Sequence, residues 1–168
     1  MDAEAALIER QEQFRYALAS LASGVSVVTA VGDSGVDHAM TASAVTSVSL
    51  DPPLVLACVS RTARFWEAIS SVEHWGVSVL SARAQQHAQW LATPGRPLAG
   101  QLDRVPHRRS TRGYALLDES LAWLECTTSE VVRAGDHDIF IGSVDCATRS
   151  EANDPLLYWR REYYALEK

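Results

Sequence analysis

Between Met40 and Thr62 the chain reads MTASAVTSVSLDPPLVLACVSRT. Small hydroxyl residues lie between two β-rich runs, and the proline pair Pro52-Pro53 separates those runs. Proline lacks an N–H and breaks a helix, so the stretch is read as an extended strand pair. Leu54 to Val59 is a short continuous apolar run, the form of a strand buried on both faces. Ala and Ser leave room for a flat ring against the backbone, and their amides and hydroxyls supply directed hydrogen bonds. The stretch ends in Ser60-Arg61-Thr62, a cluster suited to a phosphate.

The rest of the chain repeats this short-strand habit. Residues from about Ala3 to Ala22 place Leu7, Phe14, Leu18 and Leu21 at helical spacing, which predicts one amphipathic helix. After Ser23-Gly24 the period changes: Val25, Val27, Val28 and Val31 lead into Gly32-Asp33-Ser34-Gly35, and a second strand from Val36 makes a hairpin. Thr62 is placed to cap a helix through about Ser71, and Ser81 another through about Ala92, with a strand from His74 to Leu80 between them. Thr93 to Gly113 is the least patterned and most cationic segment and is read as a long surface loop, a class that often serves as a lid. Leu121 to Thr148 predicts a second hairpin around Arg133-Ala134-Gly135-Asp136. Short strands divided by turns, with few helices, predict a mainly β fold: an antiparallel barrel with peripheral helices. No repeat or linker divides the chain, so residues 1–168 are expected to form a single domain.

Composition narrows the partners. A net charge of −6 argues against nucleic acid or an anionic membrane as the main partner, while leaving room for a local arginine cluster on an anionic cofactor. No apolar run approaches the roughly 20 residues of a membrane helix. The start Met1-Asp2-Ala3-Glu4 lacks the features of a leader, so a cytoplasmic location is expected. Cys58, Cys126 and Cys146 show no Cys-x-x-Cys pair and read as small buried hydrophobes in strands, with no metal site expected.

The nine glycines form neither Gly-x-Gly-x-x-Gly nor a P-loop, and no nucleophile elbow or His-Glu-x-x-His is present. The motifs that are present resemble the flavin reductase-like family, the short-chain NAD(P)H:flavin oxidoreductases. The first is the Met40 to Leu54 pattern, the second Gly135-Asp136-His137-Asp138-Ile139-Phe140-Ile141-Gly142-Ser143-Val144, and the third Pro155 to Tyr163. Together they span about Phe14 to Tyr163. One departure is Ala39, where the family usually has Gly; a requirement for positive φ or close approach there would disfavour Ala.

The resemblance implies an FMN-binding split β-barrel, antiparallel and Greek-key-like. It implies that Thr41, Ala42, Ser43 and Ala44 line the isoalloxazine edge, with Ser47 and Ser49 nearby. Ser60, Arg61, Thr62 and Arg64 would hold the phosphate, aided by the helix beginning near Thr62. His137 would lie near the flavin and the nicotinamide, as the catalytic-site residue. Trp159, Arg160, Arg161 and Tyr163 read equally as a nucleotide platform or as core packing with snorkelling arginines. Trp66, Trp75, Trp90 and Trp123 are assigned to core or to a subunit interface. Arg83, Arg96, Arg104, Arg108 and Arg109 are candidates for an adenosine 2′-phosphate.

The implied activity is hydride transfer from NADH or NADPH to FMN or FAD, with FMN preferred, and release of reduced flavin to a separate flavin-dependent monooxygenase component. A homodimer is implied. Two other readings remain open: a split-barrel flavin oxidase with tightly bound FMN, and a non-catalytic flavin- or haem-binding module.

Overall fold

The computed structural model describes residues 3–152 and 154–166, so Met1 and Asp2 of the leader reading lie outside the described residues. Along the chain run α1 (Ala3–Leu18), β1 (Ser23–Gly24), β2 (Ser26–Val31), β3 (Asp37–Ala42), β4 (Val45–Leu50) and β5 (Pro53–Ser60). They are followed by α2 (Arg64–Ser71), β6 (His74–Leu80), a 3-10 turn (Ala82–Ala84), α3 (Gln85–Ala92), β7 (His107–Arg109) and β8 (Ala115–Leu117). Two long strands, β9 (Ser120–Ala134) and β10 (His137–Arg149), precede the small hairpin of β11 (Leu156–Trp159) and β12 (Glu162–Ala165).

Seven strands form one antiparallel sheet in the order β3-β2-β6-β9-β10-β5-β4. Its two edges, β3 and β4, are neighbours in sequence, linked only by Ser43-Ala44 and without a ladder between them. The fold is therefore mainly β and antiparallel with three helices, and its hydrogen-bonded ladder is open at β3 and β4.

Two large apolar clusters hold the sheet, with a smaller one of Tyr114, Leu116 and Trp123 beside them. One gathers Val28, Val55, Ala57, Trp75, Cys126 and Phe140 from five strands, with Phe65 and Ile69 of α2 packed among them. The other joins Val25, Val27 and Ala39 to Ala88 and Leu91 of α3 and to Leu102 and Val105. Successive residues of a strand point to opposite faces, so β2 serves both clusters and is buried on both sides. That role was predicted for β5. There Val55, Ala57 and Val59 are buried while Leu54, Leu56 and Cys58 are only half-buried, so the described residues cover the second face in part.

Trp75 and Phe140 are fully buried, each contributing about 1.5–3 kcal/mol by leaving water. The Trp75 Nε1 donates to Thr128 Oγ1 at 3.0 Å, so its polar edge is satisfied. Trp123 is also buried, Trp66 half-buried and Trp90 exposed along one edge, with its Nε1 donating to the Gln101 carbonyl at 2.8 Å.

Other expectations are corrected. The helix α1 ends at Leu18, and its predicted apolar face is bare, with Phe14 65% exposed. Thr62 does not cap α2: Ala63 takes that position without a side-chain bond, and the Thr62 hydroxyl meets Ser60. Ser81 precedes the 3-10 turn instead of α3, and its Oγ donates to the Glu119 carbonyl at 2.9 Å. The segment read as a surface loop buries Gln101, Leu102 and Val105 and forms β7. Arg96 and Gln101 fasten it to β3 by donating to the carbonyls of Ala39 and Asp37, at 2.5 and 2.6 Å. Of the cysteines only Cys126 is buried; burial pushes its thiol up to about 12, with Asp145 and Glu125 adding to the effect, while Cys146 lies exposed beyond the core.

Gly142 of β10 marks the tightest contact in the core: a Cβ there would meet Trp75 Cζ2 at 2.6 Å and Cys126 Cβ at 3.1 Å. Gly142→Ala is expected to destabilise the protein by about 1–3 kcal/mol through overpacking, read as a lower midpoint in a thermal or denaturant melt.

Candidate active site

The link between the sheet edges supplies the first part of the site. Ser43 and Ala44 are exposed, and their small side chains leave the corner between β3 and β4 open. The Ala44 carbonyl accepts from the Cys58 amide at 3.0 Å, which fixes the corner to β5. Ala42 is buried against the inner cluster. The Thr41 hydroxyl points the other way and donates to the Ala88 carbonyl of α3 at 2.7 Å. Thr41 thus offers this corner no free hydroxyl. Along the edge strand β4, Ser47 is exposed and Ser49 half-buried, with a register shift between them; the Asp51 amide donates to Ser49 Oγ at 3.2 Å. Ala39 sits buried within β3, and among the described residues only Arg160 and Arg161 combine a side chain with positive φ, so Ala is accommodated without strain.

The second part lies where β5 ends. Pairing of β10 with β5 sets His137 opposite Ser60, and the Arg61 amide donates to the Asp136 carbonyl at 3.0 Å. Residues distant in sequence therefore meet at one strand end. The hydroxyls of Ser60 and Thr62 lie 3.0 Å apart, and the Ala63 amide donates to the Ser60 carbonyl at 3.0 Å, closing a compact turn. His137 Nδ1 lies 2.8 Å from Asp136 Oδ1, and that imidazole holds the exposed Asp136 carboxyl below its usual range. Behind the turn, Trp66 Nε1 donates to Asp138 Oδ2 at 2.8 Å, tying α2 to β10. Arg61 Nε and Asp138 Oδ1 are buried without a hydrogen-bond partner.

Positive charge gathers beside these elements. Burial lowers the pKa of Arg96, and the neighbouring Arg64 lowers it further. The His38 imidazole is likewise held below its usual value, by burial and then by Arg64, against opposing pulls from Asp37 and Glu67. Arg96 Nε is a further buried donor without a partner. The signal available in sequence was only that Arg96 stands in a cationic segment; its closeness to Arg64 depends on how that segment folds back onto β3. The other arginines weighed with it serve elsewhere: Arg109 pairs with Asp37 at 2.5 Å, Arg108 lies over the Trp123 ring at 3.7 Å, and Arg83 and Arg104 line separate surface clefts.

The third part is the C-terminal hairpin. Trp159, Arg160, Arg161 and Tyr158 share a cleft of about 480 Å³ with Ser43, Ala44 and the end of α1. Tyr163 stands apart from that cleft: it stacks at 5.1 Å on Tyr158 and packs against the cluster around Val25 and Leu156. Burial, then Tyr158, raises its hydroxyl pKa.

The arrangement offers a flat open corner, a hydroxyl turn, an imidazole and several under-neutralised guanidiniums. Orphaned buried donors at Arg61 and Arg96 fit an anionic group, and the small residues of the corner fit a planar ring. A flavin nucleotide combines both, a planar ring and an anionic phosphate. Among the described residues no group of His, Cys, Asp and Glu is placed to hold a metal ion, and no helix is long and apolar enough to cross a membrane.

Known proteins share this design. The chain is 37% identical over 156 residues to an NADH:riboflavin 5′-phosphate oxidoreductase of Streptomyces pristinaespiralis, covering 91% of this chain and 86% of that one. It is 35% identical over 151 residues to the stachydrine N-demethylase reductase subunit of Rhizobium meliloti, covering 90% of this chain but only 64% of that relative's length. The flavin reductase component of a bacterial two-component tryptophan halogenase superposes with a TM-score of 0.87 at 41% identity, covering 94% of this chain and 99% of the other. The NADH:FAD oxidoreductase of Streptomyces globisporus C-1027, solved with NAD and FAD fragments, superposes with a TM-score of 0.88 at 32% identity, covering 95% and 94%. The model of the flavin reductase like domain matches residues 18–167, and the chain therefore belongs to the flavin reductase-like family.

Proposed function

We propose that this protein is an NAD(P)H-dependent flavin reductase that passes hydride from NADH or NADPH to FMN or FAD and supplies reduced flavin to a separate monooxygenase component. The observation that carries the reading is the meeting of His137 with the Ser60-Arg61-Thr62 turn beside the open Ser43-Ala44 corner. Relatives described as flavin reductases acting with NADH or NADPH, and as a reductase component of a trigonelline monooxygenase, support it. We read the seven-stranded sheet as a split barrel whose seam is the Ser43-Ala44 link.

The bound flavin supplies the hydride acceptor, so the protein's task is to hold and orient two nucleotides. Ser60, Thr62 and the orphaned Arg61 Nε hold the flavin phosphate, with Arg64 and Arg96 adding charge. Ala42, Ser43 and Ala44 border the ring, with Ser47 and Ser49 further along the same edge. For Thr41 the role narrows to its backbone, since its hydroxyl is bound to Ala88. His137, kept in place by Asp136, presents an imidazole N–H to the nucleotides at the rim.

Bare apolar surface supports a homodimer. Phe14 is 65% and Leu50 91% exposed, and the half-buried outer face of β5 adjoins the edge strand that carries Leu50.

Three outcomes are expected. NADH consumption, followed by loss of nicotinamide absorbance, should require added FMN or FAD, saturate with flavin, and fall about tenfold in His137→Ala, the cost of one charge-assisted hydrogen bond. Flavin bound without any turnover would overturn the reductase reading. Arg64→Ala should weaken FMN about fivefold in a fluorescence titration while leaving riboflavin, which lacks the phosphate, unaffected. Sedimentation velocity should show a dimer for the native chain and a monomer for Phe14→Asp combined with Leu50→Asp.

A further inference from the structure

The turn between β11 and β12 is a two-residue hairpin loop closed by the pair Trp159 and Glu162. Both loop residues have positive φ, 49° at Arg160 and 69° at Arg161. A loop of this shape favours Asn-Gly or Asp-Gly, because a side chain disfavours the left-handed region. Here the strained positions carry two adjacent like charges. Neither guanidinium has an ion-pair partner among the described residues, and the nearby Glu162 carboxylate accepts from the Tyr164 hydroxyl at 2.9 Å. Arg160 has a local contact over the Trp159 ring, while among the described residues Arg161 makes neither an ion pair nor a ring contact.

The turn is also held in one place. The Arg160 amide donates to the Ala19 carbonyl at 3.1 Å, and Trp159 Nε1 to the Ser20 carbonyl at 3.1 Å, docking the hairpin against the end of α1. The Arg160 guanidinium lies 4.5 Å from the centre of the Trp159 ring. Arg15 lines the same cleft, as do Phe14, Ser43 and Ala44. The cleft includes none of Ser60, Arg61, Thr62 and Arg64. A molecule lying on the corner therefore meets cations in two separate places.

FMN carries one phosphate, for which the Ser60-Arg61-Thr62 turn is sufficient. We propose that the Arg160-Arg161 turn, with Arg15 and the aromatic wall of Trp159, binds the adenosine diphosphate half of a dinucleotide. Paired guanidiniums match the pyrophosphate, and an aromatic face suits the adenine. The proposal rests on the reductase reading for its setting, since FAD and NAD(P)H share this half.

The test uses a variant that keeps the turn and removes its charge: Arg160→Asn combined with Arg161→Gly in the full chain. Calorimetry with ADP-ribose reads the site without catalysis. The native protein should bind it, and the variant should bind it at least about tenfold more weakly, with no loss of thermal midpoint. In turnover the variant's KM for FMN should be unchanged. A higher KM for FAD alone would assign the site to the flavin's adenylate; a higher KM for NADH with either flavin would assign it to the nicotinamide dinucleotide. Unchanged ADP-ribose affinity, or an equal rise for FMN, would overturn the proposal. Intact ADP-ribose binding by a protein that never oxidises NADH would instead sink only the reductase reading.

Discussion

Backbone pairing between β5 and β10 is the constraint on which the site depends. It sets His137 beside Ser60 and carries the register on through Asp138 with Val59 to Ser143 with Leu54. A slip of one residue would turn every side chain of β10 to the opposite face, exposing Phe140 and pulling His137 from the hydroxyl turn. The register is protected by bulk on one side and by space on the other: Phe140 fills the inner cluster, and Gly142 leaves the room that Trp75 occupies. Packing deep in the sheet thus determines where an exposed imidazole stands.

Electrostatics give that place its preference for anions. The chain is acidic overall, yet burial, and after it the charge of Arg64, acts against the charged forms of His38 and Arg96. Arg96 remains because its guanidinium also donates to the Ala39 carbonyl and to Gln101 Oε1, so it fastens the 93–106 segment while contributing charge. An anion brought to this region would offset the repulsion that Arg64 exerts on His38 and Arg96, and net charge gives no hint of it.

Much of this was legible in the sequence where the signal was local. Gly32 to Gly35 and Gly135-Asp136 mark hairpin turns through conformations that glycine adopts at little cost, and Gly35 and Gly135 have positive φ. The proline pair and the two β-rich runs it separates located β4 and β5. Legibility ended where side chains chose between partners. Thr62 had the right residue type for a helix cap, but Ser60 two positions earlier was the nearer partner. The resemblance implied Thr41 at the ring edge with backbone and side chain alike, and strand alternation turns its hydroxyl towards α3. The segment after Thr93 lacked periodicity because single residues, Leu102 and Val105, supply its anchorage. The spacing of Leu7, Phe14 and Leu18 located the helix α1, but not the exposure of that face, which depends on what the helix packs against.

On the proposed reductase reading, a site built in this way would favour exchange over retention. Ser60 and Thr62 already bond to each other, Ser49 already accepts the Asp51 amide, and the Thr41 hydroxyl is committed to α3. A ligand's hydrogen bonds here replace existing ones in part, and the net gain of each exchange is small. Only the buried Arg61 and Arg96 nitrogens gain a partner outright. The ring's surroundings are an exposed corner and an edge strand, so little of a flat ligand's apolar area is enclosed by one chain. Affinity therefore concentrates on the phosphate while the ring is held loosely, which lets a nucleotide be bound by its charged end, oriented long enough for transfer, and released intact.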